Sequence, residues 1–266
     1  MPEENPTILI KKPDPHIHPL SLSLPLSQLN DLLSLGLHRV WKRMAVTWSG
    51  ASPGDTALDV CCGSGDVSLL LAARVRAGGA VVGLDFAPAM LADAAARERA
   101  AFGGAVGGAR GRGGVRSSTS PFFSPGTAPA PIEWVEGDAT ALPFPDASFD
   151  AATLSYGLRN VASPAAALAE LARVLKPGGR AAILDFNHSP NPAVDAVQGA
   201  LLEAVVVPVA RAAGVGPQYE YLRPSIAAFP TGPDQEALAL EAGFAAAVHH
   251  EVGLGLMGCL VAVKGR

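Results

Sequence analysis

Cysteines and charged side chains are scarce in this sequence, and each shortage excludes a class of protein. The three cysteines, Cys61, Cys62 and Cys259, have apolar neighbours, as is typical of buried free thiols and not of a disulfide framework. The adjacent pair lacks a second pair of ligands, so we predict no metal site. Charged residues make up 17% of the chain, and the net charge of −4 argues against a nucleic-acid partner.

Long apolar runs are also missing. A bilayer-spanning helix needs roughly 18–20 apolar residues, and the nearest candidate, residues 204–210, is far shorter. We therefore expect a chain that is soluble or only peripheral to a membrane. Residues 1–27 are rich in proline and lack the basic start and apolar block of a secretory signal. We predict that they form a disordered arm or a partial leader, and that residues 28–266 form one domain.

Apolar runs of strand length alternate with segments of helical periodicity through most of that domain. The predicted strands are residues 57–61, 80–84, 132–135, 149–154, 180–185, 244–250 and 258–263. This alternation predicts an α/β fold with a mostly parallel sheet and helices on both faces. No helix separates the last two strands, so we expect an antiparallel last strand that follows the glycine-rich turn at residues 253–258.

One segment breaks this pattern. Residues 102–131 are rich in Gly, Ala, Arg, Ser and Pro, a composition that cannot bury enough apolar surface to form a core. We predict a low-complexity insertion in a surface loop, which is a solvated linker or, through its arginines, a contact with an anionic membrane.

The first strand leads into a glycine-rich turn that indicates a nucleoside site. Asp59 lies near the end of that strand, and Gly63, Ser64 and Gly65 follow in the turn. Glycine lets the backbone approach a ligand closely, and ligands of open parallel sheets bind at the carboxyl ends of the strands. The second strand ends in Asp85, where a carboxylate can accept hydrogen bonds from ribose hydroxyls. Asp85 as a surface turn residue or a helix cap is the alternative.

Two further strand ends add candidates. Asp138 and Ala139 follow the third strand, where they would contact an adenine edge unless they form a plain turn, and Ser155 follows the fourth, where a local cap is the alternative. The third glycine of the dinucleotide fingerprint is missing, since Ser68 follows Asp66-Val67, which disfavours nicotinamide and flavin cofactors.

These stretches and several others resemble the C-methyltransferases of menaquinone, ubiquinone and phylloquinone biosynthesis, from about residue 28 to the end apart from the insertion. The matching stretches are residues 29–36, 38–42, 136–139, 142–144, 148–150, 157–161, 173–179, 219–225 and 253–258. The resemblance implies a class I, Rossmann-like methyltransferase fold with S-adenosylmethionine as cofactor. It also implies that Ser155 lies near the methionine part of that cofactor.

The amino-acid sequence of residues 59–63 and 83–86 looks most like that of the cyanobacterial and plastid branch, which methylates demethylphylloquinone. This resemblance implies a prenylated naphthoquinol substrate, peripheral membrane contact and a chloroplast location, with a cytoplasmic one as the alternative. Homo-oligomerisation is left open. Residues 25–28 replace a Tyr-Asp pair of the family, so an inactive, cofactor-binding subunit of a quinone-synthesis complex is an alternative. Another is a ubiquinone-type, menaquinone-type or other small-molecule methyltransferase.

The catalytic candidates follow the fourth strand. Arg159 stays protonated near neutral pH, so we expect it to stabilise a phenolate or activate water, with a structural ion pair as the alternative. Asn160 would orient the ring, and Tyr156 is either a hydrogen-bond donor or a packing residue. His188, after the fifth strand, is a weaker candidate for a base.

Overall fold

Alternating apolar runs and amphipathic segments fold into one sheet flanked by helices, as the sequence predicts. A computed structural model describes residues 34, 36–106, 128–212 and 221–266. The strands are β1 Thr56–Val60, β2 Ala80–Asp85, β3 Ile132–Glu136, β4 Phe149–Ser155, β5 Leu175–Phe186, β6 Phe244–Val252 and β7 Met257–Lys264. The helices are α1 Leu37–Trp48, α2 Asp66–Val75, α3 Pro88–Val106, α4 Pro164–Val174, α5 Pro192–Leu201, α6 Val207–Ala212, α7 Leu222–Ala227 and α8 Gly232–Glu241.

The strand order is β3-β2-β1-β4-β5-β7-β6. Strands β1 to β5 pair in parallel, whereas β7 runs antiparallel to both β5 and β6. The predicted antiparallel strand at the end of the chain is therefore confirmed. The order reverses between β1 and β4, and such a reversal opens a crevice at the carboxyl ends of the two strands.

Neighbouring residues of β1 point to opposite faces of the sheet, as the period of a strand requires. Leu58 is fully buried on the face that carries α4, in a cluster with Leu168 and Leu171. Ala57 lies on the other face with Leu71 and other residues of α2. Each buried leucine contributes roughly 1.5–3 kcal/mol, so both layers hold β1 and its following turn in place.

The low-complexity insertion is narrower than predicted. Helix α3 continues to Val106, and the Phe102 side chain is 3% exposed in the core cluster around α2. On the far side, Ala130 is buried and its N–H donates to the Ala72 carbonyl oxygen at 2.9 Å. Residues 102–106 and 128–131 therefore belong to the fold, while residues 107–127 lie outside the described part of the chain.

A continuous helical stretch, Pro192–Ala212, corrects the expectation that no apolar segment reaches spanning length. It has 21 residues, a mean hydropathy of 1.6 and 28% of its apolar window buried, so it is long and apolar enough to cross a membrane by length and composition alone. Asp195, Glu203 and Arg211 interrupt its sequence, which hid it from a search for an unbroken run. It includes a π-helical turn at Leu202–Val206, directly before Pro208 and its missing N–H.

Two features of the fold differ from the sequence prediction. A 3₁₀ turn, Leu158–Asn160, follows β4 and carries two of the catalytic candidates. Strand β5 begins at Leu175, five residues before its predicted start at residue 180. Both lie where pairing with a neighbouring strand or packing against a helix decides the conformation, which local sequence does not show.

Candidate active site

The turn between β1 and α2 is built from left-handed residues. Cys61, Gly63 and Gly65 have φ angles of 55°, 54° and 82°. A Cβ atom at Gly65 would lie 2.7 Å from the Trp134 ring, so packing in the core requires glycine there, and the ligand contact of Gly65 stays a prediction. A Cβ atom at Gly63 would meet only the Met90 methyl group, at 3.5 Å. The open face of this turn is therefore at Gly63.

Asp85 lies against this turn, as the sequence predicts. Its Oδ2 accepts a hydrogen bond from Gly63 N at 2.8 Å, and its Oδ1 accepts one from Ala87 N at 3.0 Å. A carboxylate oxygen accepts more than one hydrogen bond, so both oxygens keep capacity for a ligand. The residue is 6% exposed. Its position suits a ribose contact, and the contact itself stays a prediction.

Asp59 is placed differently from the prediction. Its side chain is fully buried, and its carboxylate accepts hydrogen bonds from Ser68 Oγ at 2.6 Å and Thr153 Oγ1 at 2.8 Å. Burial raises the pKa of Asp59 to about 6, against the opposing effect of these two hydrogen bonds. The carboxylate therefore ties β1 to α2 and β4 and does not reach the crevice, so Asp59 is corrected from a direct ligand to a residue that shapes the turn.

Ser64 is held by a charged network that sequence reasoning missed. Arg97 Nη1 donates to Ser64 Oγ at 2.6 Å and to its carbonyl oxygen at 2.9 Å, and Arg97 also pairs with Asp66. Lys42 of α1 donates to Asp66 Oδ2 at 2.7 Å. Burial opposes ionisation of Asp66, but Lys42 and Arg97 outweigh it and lower its pKa. The network fixes the turn to α1 and α3.

The end of β3 lies beside Asp85, because Gly137 N donates to the Asp85 carbonyl oxygen at 3.1 Å. Asp138 follows and is exposed, and its Oδ1 accepts two hydrogen bonds of 2.8 Å from Thr140. Ala139 is 5% exposed and its methyl group belongs to the core. Any ligand contact of Ala139 must therefore come from its backbone, whereas Asp138 can contribute its carboxylate.

Unpaired polar atoms mark the ends of β4 and β5. Four buried side-chain atoms have no hydrogen-bond partner among the described residues: Ser155 Oγ, Tyr156 Oη, Arg159 Nε and Asn187 Oδ1. Leaving one buried polar group unpaired costs about 1–3 kcal/mol, so four within one edge of a sheet indicate a site built for a polar ligand. Asn187 was not predicted.

Tyr156 has a left-handed backbone, with φ 61°, and its N–H donates to the Leu184 carbonyl oxygen at 2.7 Å. Its ring packs edge-on against Phe186 with centroids 5.9 Å apart, and Lys42 Nζ lies 5.8 Å from the ring centroid. Burial raises the pKa of Tyr156 above its ordinary value, and the charge of Asp185 raises it further. The hydroxyl therefore stays protonated and can donate.

Arg159 forms the ion pair that was its alternative role. Nη1 contacts Asp185 Oδ1 and donates to the Tyr156 carbonyl oxygen at 3.0 Å, while Nε is unpaired. Asn160 is exposed, and its Nδ2 donates to the same carbonyl at 3.2 Å. His188 is engaged elsewhere, because its Nδ1 lies 2.6 Å from the Phe229 carbonyl oxygen and must carry a proton to donate.

Asp185 is the residue that the sequence analysis overlooked. It lies one residue before the end of the fifth strand, which pairs with β4, so the rule used for the first four strands would have found it had it been extended one strand further.

Comparisons with known proteins give this site its class. A SAM-dependent methyltransferase from Aquifex aeolicus superposes with a TM-score of 0.56 over 90% of this chain and 98% of its own, at 17% identity. The fold is therefore that of class I S-adenosylmethionine-dependent methyltransferases. A model of the ubiE/COQ5 methyltransferase family matches residues 21–106 and 125–264, and the chain belongs to this family.

Two relatives are much more similar in sequence. The chain is 48% identical to the Arabidopsis thaliana chloroplastic 2-phytyl-1,4-beta-naphthoquinone methyltransferase, over 89% of this chain and 82% of the relative. It is also 48% identical to the Synechocystis 2-phytyl-1,4-naphtoquinone methyltransferase, over 89% of both. Family and fold imply S-adenosylmethionine as cofactor. The open side of Gly63, the carboxylate of Asp85 and the unpaired hydroxyl of Ser155 fit that molecule.

Proposed function

We propose that this chain methylates the ring carbon of a prenylated demethylnaphthoquinol, 2-phytyl-1,4-naphthoquinol, with S-adenosylmethionine as the methyl donor. One observation carries the proposal: the buried Tyr156 hydroxyl and Arg159 Nε have no partner among the described residues, and both residues follow β4, the strand next to β1 and its cofactor turn. Two unpaired donors suit an acceptor with ring oxygens. The names of the two plant and cyanobacterial relatives support the same substrate.

The cofactor half of the site would hold the nucleoside. Asp85 would accept from the ribose hydroxyls, Asp138 from the adenine amine, and the Gly63 backbone would pass close to the ligand. Ser155 would donate to the methionine part. When bound, the cofactor supplies an electrophilic methyl group on a sulfonium.

The acceptor half would raise the nucleophilicity of the ring carbon. A quinone ring is electron-poor, so the reduced quinol is the reactive form, and loss of a phenolic proton to water moves electron density onto the ring. After transfer, the methylated ring carbon gives up its own proton to water and the ring regains its aromatic form. Arg159 Nε–H and the Tyr156 hydroxyl would stabilise the phenolate oxygen by hydrogen bonds placed in advance. Asn160 would orient the ring from its exposed position. The remaining contribution is alignment and exclusion of water.

Peripheral membrane contact is part of the proposal, because the substrate carries a long apolar tail. Val197, Leu201 and Val205 are 64%, 42% and 47% exposed on helix Pro192–Ala212. Their spacing of four residues places them along one side of the helix. Burying such side chains in a bilayer interface contributes roughly 1.5 kcal/mol each.

Vesicle flotation tests this contact. In the double variant Val197→Ser/Val205→Ser, binding to neutral vesicles is expected to fall by about 100-fold, from two lost valine contacts. The control is Val248→Ser, since Val248 is 50% exposed on β6 at the edge of the sheet. Equal vesicle binding by the wild type, the double variant and Val248→Ser would show that helix Pro192–Ala212 does not contact the membrane. A chloroplast location, suggested by the Arabidopsis relative, is tested separately by imaging a fluorescent fusion of the full-length protein.

The reaction is tested with methyl-labelled cofactor and chemically reduced 2-phytyl-1,4-naphthoquinol. The expected product carries the label as a ring methyl group, and a labelled methyl ether would instead show transfer to oxygen. Calorimetric binding of the cofactor without any turnover would favour an inactive, cofactor-binding subunit. Extracting quinones from cells that lack the activity, with and without this chain, checks the substrate in vivo.

A further inference from the structure

Asp185 holds residue 159 by both its side chain and its backbone. Asp185 Oδ1 pairs with Arg159 Nη1, and Oδ2 accepts from the Arg159 N–H at 3.2 Å. The Phe186 N–H also donates to Oδ1, at 2.8 Å. Three donors from two chain segments therefore fix the carboxylate, and the carboxylate fixes the 3₁₀ turn after β4.

Two further contacts hold the guanidinium. Its Nη1 donates to the Tyr156 carbonyl oxygen, and its Cζ lies 5.1 Å from the centroid of the Phe186 ring. Nε is the buried atom of this guanidinium that has no partner among the residues that the structure describes. Neighbouring protein groups thus accept hydrogen bonds from Nη1, and the Nε–H donor is left for a bound ligand.

The pair is deeply buried, with side-chain exposures of 12% for Arg159 and 3% for Asp185. A buried ion pair is weak evidence for stability, because the loss of hydration offsets most of the attraction. Its effect on geometry is larger, since the planar guanidinium has a fixed arrangement of donors. A carboxylate that holds Nη1 therefore also sets the direction of Nε–H.

We propose that Asp185 is a positioning residue for methyl transfer, which orients Arg159 so that Nε–H faces an oxygen of the acceptor. The inference rests on the proposed function for the identity of that acceptor. Asp185 acts through Arg159, and all three hydrogen bonds to its own carboxylate come from the protein.

Kinetics of Asp185→Asn test the proposal, because asparagine keeps the shape and removes the charge. We expect kcat to fall by about 100-fold, the usual cost of misplacing a catalytic group by an ångström, while cofactor affinity is unchanged. In an Arg159→Gln background, Asp185→Asn should cost little more, since the residue acts through Arg159. Wild-type kcat in Asp185→Asn, or losses that add in full, would overturn the proposal.

Two additions keep this test decisive. Asp185→Glu retains the charge and displaces the carboxylate by one methylene group, so it should also lose kcat with the cofactor still bound; full activity there contradicts the proposal even if Asp185→Asn does not fold. Lys176→Gln is the matched control. This variant breaks the 2.8 Å ion pair between Lys176 and Asp150, which lies at the amino-terminal ends of β4 and β5 and so away from the site. It should leave kcat unchanged.

A spectroscopic readout separates this proposal from the proposed function. In ¹⁵N spectra of the wild-type protein, Arg159 Nε–H should give a resolved signal, assigned by its absence in Arg159→Gln. The signal should broaden or vanish in Asp185→Asn, and an identical signal in both proteins would overturn the positioning role without any substrate. Absence of turnover by the wild-type protein with the naphthoquinol would instead count against the proposed function.

Discussion

The carboxyl ends of the strands form two halves, β1 with β2 and β4 with β5, which differ in how many of their buried polar atoms are hydrogen-bonded by the protein. At β1 and β2, the carboxylates of Asp59 and Asp85 are each bonded by two donors of the protein itself. At β4 and β5, Ser155, Tyr156 and Arg159 each have one buried polar atom without a partner among the described residues. The carboxylates of the first half are therefore held by protein donors before a ligand arrives, whereas these atoms of the second half are not.

This difference separates holding a cofactor from reacting with an acceptor. A turn that is bonded internally presents a rigid surface, so binding a nucleoside costs little ordering. Unpaired donors in a buried site are costly to the free protein, but they are already oriented toward the charge that develops during reaction. Substitution of Asp85 in the first half should therefore change cofactor affinity, and substitutions of Tyr156 and Arg159 in the second half should change rate. Ser155, at the boundary between the halves, should affect cofactor binding.

The largest effect is expected for Arg159→Gln. Removing one preorganised donor from a developing negative charge costs about 10²–10³-fold in kcat, whereas the dissociation constant of the cofactor should not change. Steady-state kinetics combined with calorimetry measure both quantities. A tenfold loss of cofactor affinity with an intact kcat would erase the distinction between the two halves.

Asp85→Asn should have the next largest effect, on binding. Two hydrogen bonds to a charged group contribute roughly 1.5 kcal/mol each or more, so cofactor affinity should fall by about 100-fold. Asp93→Asn makes the same charge change at an exposed position on α3 and should bind the cofactor normally. If both variants bind like the wild type, Asp85 is only a structural part of the turn.

Asp59→Asn should alter the pH dependence of stability. The pKa of Asp59 is about 6 in the folded chain and about 3.9 in an unfolded one. Between these values the folded state binds more protons, so stability falls as pH rises through that window. Asparagine cannot titrate, and the variant should lose this slope, a change of roughly 2 kcal/mol between pH 4 and pH 7.

Denaturant unfolding at several pH values measures this slope, with Asp93→Asn as the control for a general loss of charge. Parallel curves for Asp59→Asn and the wild type would contradict the buried placement of Asp59.

The smallest expected effect is a difference in cofactor affinity between alanine variants of two serines. Ser155→Ala removes an unpaired hydroxyl from the site and should weaken cofactor binding by about 1 kcal/mol, or about fivefold. Ser64→Ala removes a hydroxyl that already accepts from Arg97 at 2.6 Å, and it should change binding less. Calorimetry on both variants decides the order, and a larger loss in Ser64→Ala would reverse the comparison.

Sequence predicts the local features of this molecule well. Short-range patterns predict the strand before the glycine turn and the carboxylate of Asp85 beside that turn. They also predict the antiparallel pairing of β6 and β7. The spanning length of the apolar segment Pro192–Ala212 was missed because its charged residues interrupt the apolar run, although most of the residues between them are apolar.

Contacts between distant residues could not be predicted in the same way. Thr153 reaches Asp59 from 94 positions away, and Arg97 reaches Ser64 from 33. Both contacts depend on which strands and helices become neighbours, and a single sequence does not show this. The ion pair of Arg159 with Asp185 is of the same kind, so the sequence left open whether Arg159 was structural or catalytic.

A crystal structure with S-adenosylhomocysteine tests most directly whether β1 and β2 hold the nucleoside while the ends of β4 and β5 face the reacting group. We expect the ribose hydroxyls within hydrogen-bond distance of the Asp85 carboxylate, about 2.6–3.0 Å, and the sulfur atom on the side of Ser155 and Arg159. A nucleoside bound away from Asp85, or a sulfur atom pointing away from the ends of β4 and β5, would contradict the account.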